Sequence, residues 1–217
     1  MNIISFFRKQ VRRIIRNNLD GYLKIEGWLT PYEAIGLYRI AAKLSRNASV
    51  VEIGSWKGKS TWCIAKGLKK GTINCIDPFN AAGDQGSKEL YKTLKGENDL
   101  LTQFKENLKN VSRSVKINIL KGYSSEFTGS VKNIDLLFID GDHSIEGCKF
   151  DYENFHEEIK PNGFLAFHDY FPDRKDSGPT WVIENLVNHN PAFIHYENFN
   201  SLCVFQKQAK AISGSNF

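Results

Sequence analysis

The sequence predicts an α/β fold: a Rossmann-like, doubly wound and mostly parallel sheet of seven strands that ends in an antiparallel C-terminal strand. Three observations carry this. Short apolar runs alternate repeatedly with segments of helical periodicity, the pattern of parallel strands joined by crossover helices. Five of those runs end in acidic, polar or glycine-rich residues, so their carboxyl ends would line one edge, where α/β sheets bind ligands. The C-terminal part breaks the alternation with two consecutive apolar runs joined by a polar turn.

At 217 residues, 41% of them hydrophobic and 24% charged, the chain suits one soluble domain with a full core. Residues 1–26 are read as a basic amphipathic arm, 27–207 as the domain, and 208–217 as a flexible tail. In the arm, Ile4, Phe7, Val11, Ile14 and Ile15 fall at helical spacing, with arginines between them. Three readings stay open: a helix lying peripherally on an anionic membrane surface, a helix packed on the domain or on a second subunit of a homodimer, or a transit peptide. No apolar run in the sequence is long enough to span a bilayer or clean enough for a secretory signal, so the expected location is cytoplasmic. The net charge of +5 suggests nucleic acid until its distribution is considered. Arg8, Lys9, Arg12, Arg13 and Arg16 lie in residues 1–19 with no acid; removing these five from 29 leaves 24 basic against 24 acidic residues. A formally neutral body argues against an extended phosphate-binding face, and no nucleic-acid partner is expected. Cys63, Cys75, Cys148 and Cys203 are scattered without a Cys-x-x-Cys, which argues against a zinc knuckle or disulfide framework.

The elements follow in order. Thr30 is an N-cap, Pro31 suits the first helical position, and Glu33 completes a capping box for a helix through Leu44. Strand one is Ser49–Gly54 and strand two Thr72–Ile76. Lys88–Asn110 reads as one helix, because Leu90, Leu94, Leu101, Phe104 and Leu108 keep matching intervals. Strand three is Val115–Leu120, strand four Ile134–Ile139, and a helix spans Ile145–Ile159. Pro161-Asn162-Gly163 turns into strand five, Phe164–Phe167. Trp181–Asn188 is helical, and strands Phe193–Glu197 and Ser201–Gln206 flank the turn Asn198-Phe199-Asn200.

The chemistry gathers at the strand ends. Strand one leads into Glu52-x-Gly54-x-x-x-Gly58, followed by Ser60 and Thr61 at a helix start. This is neither the G-x-G-x-x-G of dinucleotide enzymes nor the G-x-x-x-x-G-K-[ST] of phosphate-binding loops. Asp77, 19 positions after Gly58, stands where a carboxylate can accept from both ribose hydroxyls. Together these point to an adenosyl ligand without phosphates. An ordinary tight strand–helix turn is the plainer reading of the glycines. Strand four ends in Asp140-Gly141-Asp142-His143 and strand five in His168-Asp169-Tyr170. Asp142 and His143 could equally cap the helix that follows. Trp28, Trp56 and Trp181 are candidate borders of an acceptor pocket, Trp62 is read as core, and 170–179 as a substrate-covering loop.

Val51-Glu52-Ile53-Gly54-Ser55-x-x-Gly58-x-Ser60-Thr61, Cys75-Ile76-Asp77-Pro78, Phe138-Ile139-Asp140-Gly141-Asp142-His143 and Phe167-His168-Asp169-Tyr170 together resemble the class I S-adenosylmethionine-dependent methyltransferases. The likeness runs from about Gly27 to Gln206. It is strongest to small bacterial O-methyltransferases of the macrocin or sugar type, related to catechol O-methyltransferase. The resemblance implies that Glu52, Gly54, Ser55 and Gly58, with Ser60 in the same loop, surround the methionine part of the cofactor. It implies that Asp77 holds the ribose and that Tyr123 and Ser124 border the adenine. Asp140 counts both with the cofactor site and, in metal-dependent relatives, with a divalent cation site formed with His168 and Asp169, for Mg2+ or Mn2+. Asp142 matches the general base of sugar-modifying relatives, and His143 and His168 complete the catalytic set. Those relatives carry Asp-Asp or Asp-Asn where this chain has His168-Asp169, and imidazole suits zinc, iron or manganese better than magnesium. His168 could instead act as a base, or orient Asp169.

The resulting expectation is an S-adenosylmethionine-dependent O-methyltransferase that acts on a hydroxyl of a saccharide or other small molecule. Two rivals remain: a methyltransferase acting on nucleic acid or protein, and a non-catalytic or dinucleotide-binding Rossmann protein. An Asn-Pro-Pro-Tyr-like motif would favour the first and a third glycine the second; the sequence has neither.

Overall fold

Burial along the central strands is nearly continuous, which fits strands covered by helices on both faces. The computed structural model describes residues 13–15, 17–82 and 88–209. Its elements in chain order are α1 (Pro31–Lys43), β1 (Ala48–Ile53), α2 (Lys59–Gly67), β2 (Gly71–Asp77), α3 (Lys88–Lys95), α4 (Leu100–Leu108), β3 (Val115–Lys121), β4 (Ile134–Ile139), α5 (Ile145–Phe155), β5 (Ile159–Phe167), α6 (Gly178–Asn185), β6 (Phe193–Phe199) and β7 (Leu202–Lys207). The sheet order is β3-β2-β1-β4-β5-β7-β6. Strands β1 to β5 pair in parallel, and β7 runs antiparallel between β5 and β6. The chain order reverses between β1 and β4, so the ligand crevice is expected at their carboxyl ends.

Alternation sorts the strand residues between two cores. Val50, Ile73, Phe138, Ala166 and Val204 pack against Leu37 and Ile40 of α1, Ile64 of α2 and Phe104 of α4. Val51, Ile53, Leu137, Leu165 and Phe167 face the other way, onto Tyr152 and Phe155 of α5 and Val182 of α6. Each fully buried side chain of this size stabilises the fold by roughly 1.5–3 kcal/mol. The capping box at Thr30 forms as the spacing predicts: the Glu33 amide donates to Thr30 Oγ1, and the Thr30 amide to Glu33 Oε2.

The structure departs from the sequence reading in four places, one of them the late helix, expected over Trp181–Asn188, which spans Gly178–Asn185. The helix expected over 88–110 is two helices. Gly96 takes a left-handed φ of +68°, and Asp99 caps a new start by accepting from the Thr102 amide. The helix from Ile145 stops at Phe155, and β5 begins already at Ile159, with a register irregularity at its start. In the final hairpin β6 continues through Phe199, so the turn sits at Asn200 and Ser201.

Residues 13–15 and 17–18 are helical, and Ile15, Leu19, Tyr22 and Ile25 join the core beneath α1 and α2. The rest of the basic arm, with Arg12 and Arg16, and residues 210–217 lie outside the described residues. No helix among the described residues is long and apolar enough to cross a membrane. All four cysteines are buried and unpaired.

Candidate active site

A cavity of about 440 Å3 opens along the carboxyl ends of the parallel strands, a size within the range of small-molecule and cofactor sites. Gly54 and Ser55 line it after β1, Asp77 at the end of β2, and Tyr123 and Ser124 after β3. Asp140, Asp142 and His143 follow β4, and His168 and Asp169 follow β5.

Glu52 and Gly58 do not line this cavity. Alternation turns Glu52 to the face of Val50, beneath the start of α2. It is wholly buried, with Oε1 accepting from Ser60 Oγ (2.6 Å) and Oε2 from Ser55 Oγ (3.0 Å) and Thr61 Oγ1 (2.5 Å). Burial pushes its carboxyl up to about 7 against the pull of these three hydroxyls, with Asp140 adding to the rise. Glu52 is thus the post around which the loop and the first turn of α2 are tied. Gly58 sits at the N-cap of α2 with φ +84°, where a Cβ would press on Phe104 and Leu108. Its requirement is packing against α4. Gly54 is different: a Cβ there would lie 2.0 Å from the carbonyl oxygen of Asp140, and φ is +86°. Only glycine lets β1 and β4 end this close together.

Asp77 draws the loop over itself. Its Oδ2 accepts from the amides of Ser55 (2.9 Å) and Trp56 (2.8 Å), and its Oδ1 from that of Phe79 (2.6 Å). Burial raises its carboxyl despite these amides. Each carboxylate oxygen can accept more than one bond, so capacity for ligand hydroxyls remains. Trp56, at φ +47°, joins Trp28 and Tyr91 in a three-ring cluster with centroids 5.1–6.0 Å apart at the cavity wall. Trp62 is buried in the core, as its helical position suggests.

Past β3, Tyr123 is exposed and its hydroxyl accepts from Asn80 Nδ2. Ser124 Oγ donates to Asp151, a carboxyl that the sequence reading missed. Asp151 is buried on α5, lines the cavity, and is raised to about 7 by burial, with Asp142 adding to the rise. Its position, seven residues past Ser144 at the start of an amphipathic helix, was the available signal.

At the ends of β4 and β5 the residues converge, but in a different arrangement from the one expected. His168 is 3% exposed and faces carboxylates from both nitrogens. Nδ1 lies 3.2 Å from Asp140 Oδ1 and 3.4 Å from Asp169 Oδ2, and Nε2 lies 3.4 Å from Glu33 Oε2. Burial disfavours its charge, yet Asp140 above all, then Asp169 and Glu33, push the imidazole far above its ordinary range. The ring thus bridges Glu33 on one side and the Asp140–Asp169 pair on the other. His143 joins the same carboxylates: Nε2 is 3.0 Å from Asp169 Oδ2 and 3.9 Å from Asp140 Oδ1. One donor atom from each of Asp140, His143 and Asp169 falls within 4.8 Å of the others, a spacing that can hold a metal ion. Two carboxylates and one imidazole suit manganese, iron or zinc better than magnesium. Burial works to raise Asp169, but hydrogen bonds from His143 and His168 hold it well below the usual carboxylate range. It sits at φ +57°, a conformation that non-glycine residues keep only when surroundings enforce it. Asp142 is exposed to the cavity; its Oδ1 accepts from the Ser144 amide, while Ser144 itself caps α5. The 170–179 segment does not line the cavity. Thr180 Oγ1 and Gly178 pin it to Phe171 and His143.

Glu33 is the other residue the sequence reading missed in this role. It is 3% exposed, and burial works to raise it. His168, the Thr30 amide and Ser201 outweigh burial and hold it down at about 2. The capping box explains its place in the sequence. Its contact with His168, 135 residues away, leaves no local signal.

A family described as a methyltransferase domain matches residues 51–170, from the end of β1 through Tyr170. The chain belongs to this methyltransferase family. Among curated proteins, one from Sinorhizobium fredii is 24% identical over 150 residues, covering 65% of this chain and 15% of its own length. One from Acanthamoeba polyphaga mimivirus is 29% identical over 133 residues, covering 55% of this chain and 50% of that protein. The methyltransferase therefore spans at most about half of these relatives. A Corynebacterium glutamicum structure superposes with a TM-score of 0.63 at 15% identity, covering 97% of this chain and all of that one. The O-methyltransferase NovP gives 0.62 at 14% identity over 82% and 81% of the two chains. Cofactor-bound Rv0187 from MTB gives 0.60 at 13% identity over 90% of each. These likenesses establish the fold, a Rossmann-like methyltransferase fold.

Proposed function

We propose that this methyltransferase transfers the methyl group of S-adenosylmethionine to a hydroxyl of a small molecule, a sugar or glycan precursor, with help from a divalent cation. The observation that carries the reading is the arrangement of Asp140, Asp142, His143 and Asp169 on the cavity that Gly54 and Asp77 also line. The residues fit the donor molecule. Gly54 leaves the backbone bare and Asp77 offers acceptors; Asp151 with Ser124 offers polar groups at the other end. Their donor set also fits a cation, which Asp140, His143 and Asp169 would hold. A bound donor supplies a methyl group already activated on a sulfonium, and a bound cation lowers the pKa of a coordinated hydroxyl. What the chain adds is alignment and proton removal. Asp142 has one carboxylate oxygen free of its Ser144 bond and is the base in this reading. The formally neutral body supports a small acceptor over nucleic acid, and NovP, an O-methyltransferase by name, shares the fold.

A second reading is favoured by the 3.0 Å contact between His143 and Asp169. An imidazole oriented by a carboxylate is a general base that needs no cation. The test is S-adenosylhomocysteine release with nucleotide-sugar and polyol acceptors, before and after chelation. Transfer that collapses on chelation and returns with Mn2+ supports the first reading. Full transfer after chelation and metal analysis leaves the His143–Asp169 base. Transfer only to amines, nucleic acid or protein overturns the proposal.

A further inference from the structure

We infer that Glu33 is a positioning residue, which sets the Asp140–Asp169 carboxylates through His168 and ties them to the C-terminal hairpin. The inference rests on the reading of Asp140, His143 and Asp169 as a cation site. Glu33 belongs to α1, before the first strand, yet its two oxygens serve three separate parts of the fold. Oε2 accepts from the Thr30 amide at 2.7 Å and faces His168 Nε2 at 3.4 Å. Oε1 accepts from the Ser201 amide at 3.2 Å and Oγ at 2.9 Å. The imidazole is clamped between Glu33 and the two carboxylates, all at 3.2–3.4 Å. A ring held at one end by a buried carboxylate cannot rotate about its Cβ–Cγ bond without abandoning a hydrogen-bonded partner. Its Nδ1 edge therefore presents a fixed donor to Asp140 Oδ1 and Asp169 Oδ2. A capping box alone needs only the Thr30 bonds. The Ser201 and His168 contacts are additional: the first ties Glu33 to the hairpin and the second leads to the site.

Partners one shell beyond a metal ion typically change its affinity by 10–100-fold when removed. Glu33→Gln should weaken Mn2+ binding by about that range, measured by the electron paramagnetic resonance signal of free Mn2+. S-adenosylhomocysteine affinity, whose proposed site excludes Glu33, should stay unchanged and report that the variant is folded. His168→Asn keeps a donor for Asp140 but cannot reach Glu33. It should match Glu33→Gln, and the double variant should lose nothing further, since both act through one ring. If Glu33→Gln fails to fold, His168→Asn alone carries the affinity test. In the wild type a slowly exchanging imidazole N–H proton should appear downfield and vanish in both variants. Undiminished Mn2+ affinity with the proton intact in Glu33→Gln, or losses that add in the double variant, would overturn the inference. Wild-type protein that binds no Mn2+ removes the cation reading instead, and the proton signal still decides whether Glu33 holds the ring.

Discussion

Replacing Glu52 by glutamine should flatten the pH dependence of stability. Glu52 is wholly buried and its carboxyl is raised from 4.5 to about 7, so the folded state holds that proton more tightly than the unfolded chain. Between those values the native protein binds more protons, and stability falls as pH rises. A shift of this size is worth about 3 kcal/mol in full, at about 1.4 kcal/mol per pKa unit. Roughly 2 kcal/mol of it is lost between pH 5.0 and 7.5. Glutamine has no such titration, and the hydroxyls of Ser55, Ser60 and Thr61 can rotate to meet its amide. Other shifted groups, Asp151 and Glu33 among them, are common to both proteins and cancel in the comparison. The assay is urea unfolding followed by tryptophan fluorescence at both pH values, with matched m-values. Wild type should lose about 2 kcal/mol more than Glu52→Gln over that interval. Parallel profiles would refute the reasoning, because Glu52 would then be no more proton-avid folded than unfolded.

Three further outcomes are expected. Gly54→Ala forces a Cβ to 2.0 Å from the Asp140 carbonyl; calorimetry should find S-adenosylhomocysteine binding abolished, and wild-type affinity would contradict this account of the loop. Asp77→Ala leaves the amides of Ser55, Trp56 and Phe79 without their acceptor. It should cost about 1–3 kcal/mol of stability in urea and weaken S-adenosylhomocysteine binding at least about tenfold, on the scale of one lost charge-assisted bond. Asp142→Ala should lower the methyl-transfer rate by about 10²–10⁴-fold with cofactor affinity unchanged, whereas a rate near wild type would shift the base to His143.

The strands and the edge they share were legible because each apolar run is short, bounded, and ended by a chemically distinct residue. The Thr30 cap was legible for the same local reason. The break at Gly96 was not, since Leu94 and Leu101 keep a helical interval across it while the chain in between leaves the helix. At the site, sequence named the right neighbourhood but not the direction of each side chain. Period-two alternation places Glu52 with Val50 and His168 with Ala166, on the face covered by α1 and α2. Read that way, Glu52 would have been turned away from the cavity, whereas His168, just past the end of β5, still lines it. Asp169 escapes alternation because its left-handed backbone turns the chain at the end of β5. Glu33 and Asp151 were out of reach for another reason: their partners at the site are set by the packing of α1 and α5 on the sheet, which no local pattern records.

The Glu33–Ser201 bond joins positions 168 residues apart, and β7, which carries the chain past Ser201, is the last of the described strands yet sits inside the sheet. During synthesis the amino-terminal strands and the glycine loop can assemble as they emerge. The corner that holds Asp140, His143 and Asp169 cannot, because β5 has an open edge and Glu33 lacks its hairpin donors until the ribosome has released residues 199–207. A nascent or truncated chain would thus have a donor pocket without an ordered reaction corner. The threading of β7 makes the final hairpin a condition for the ordered site.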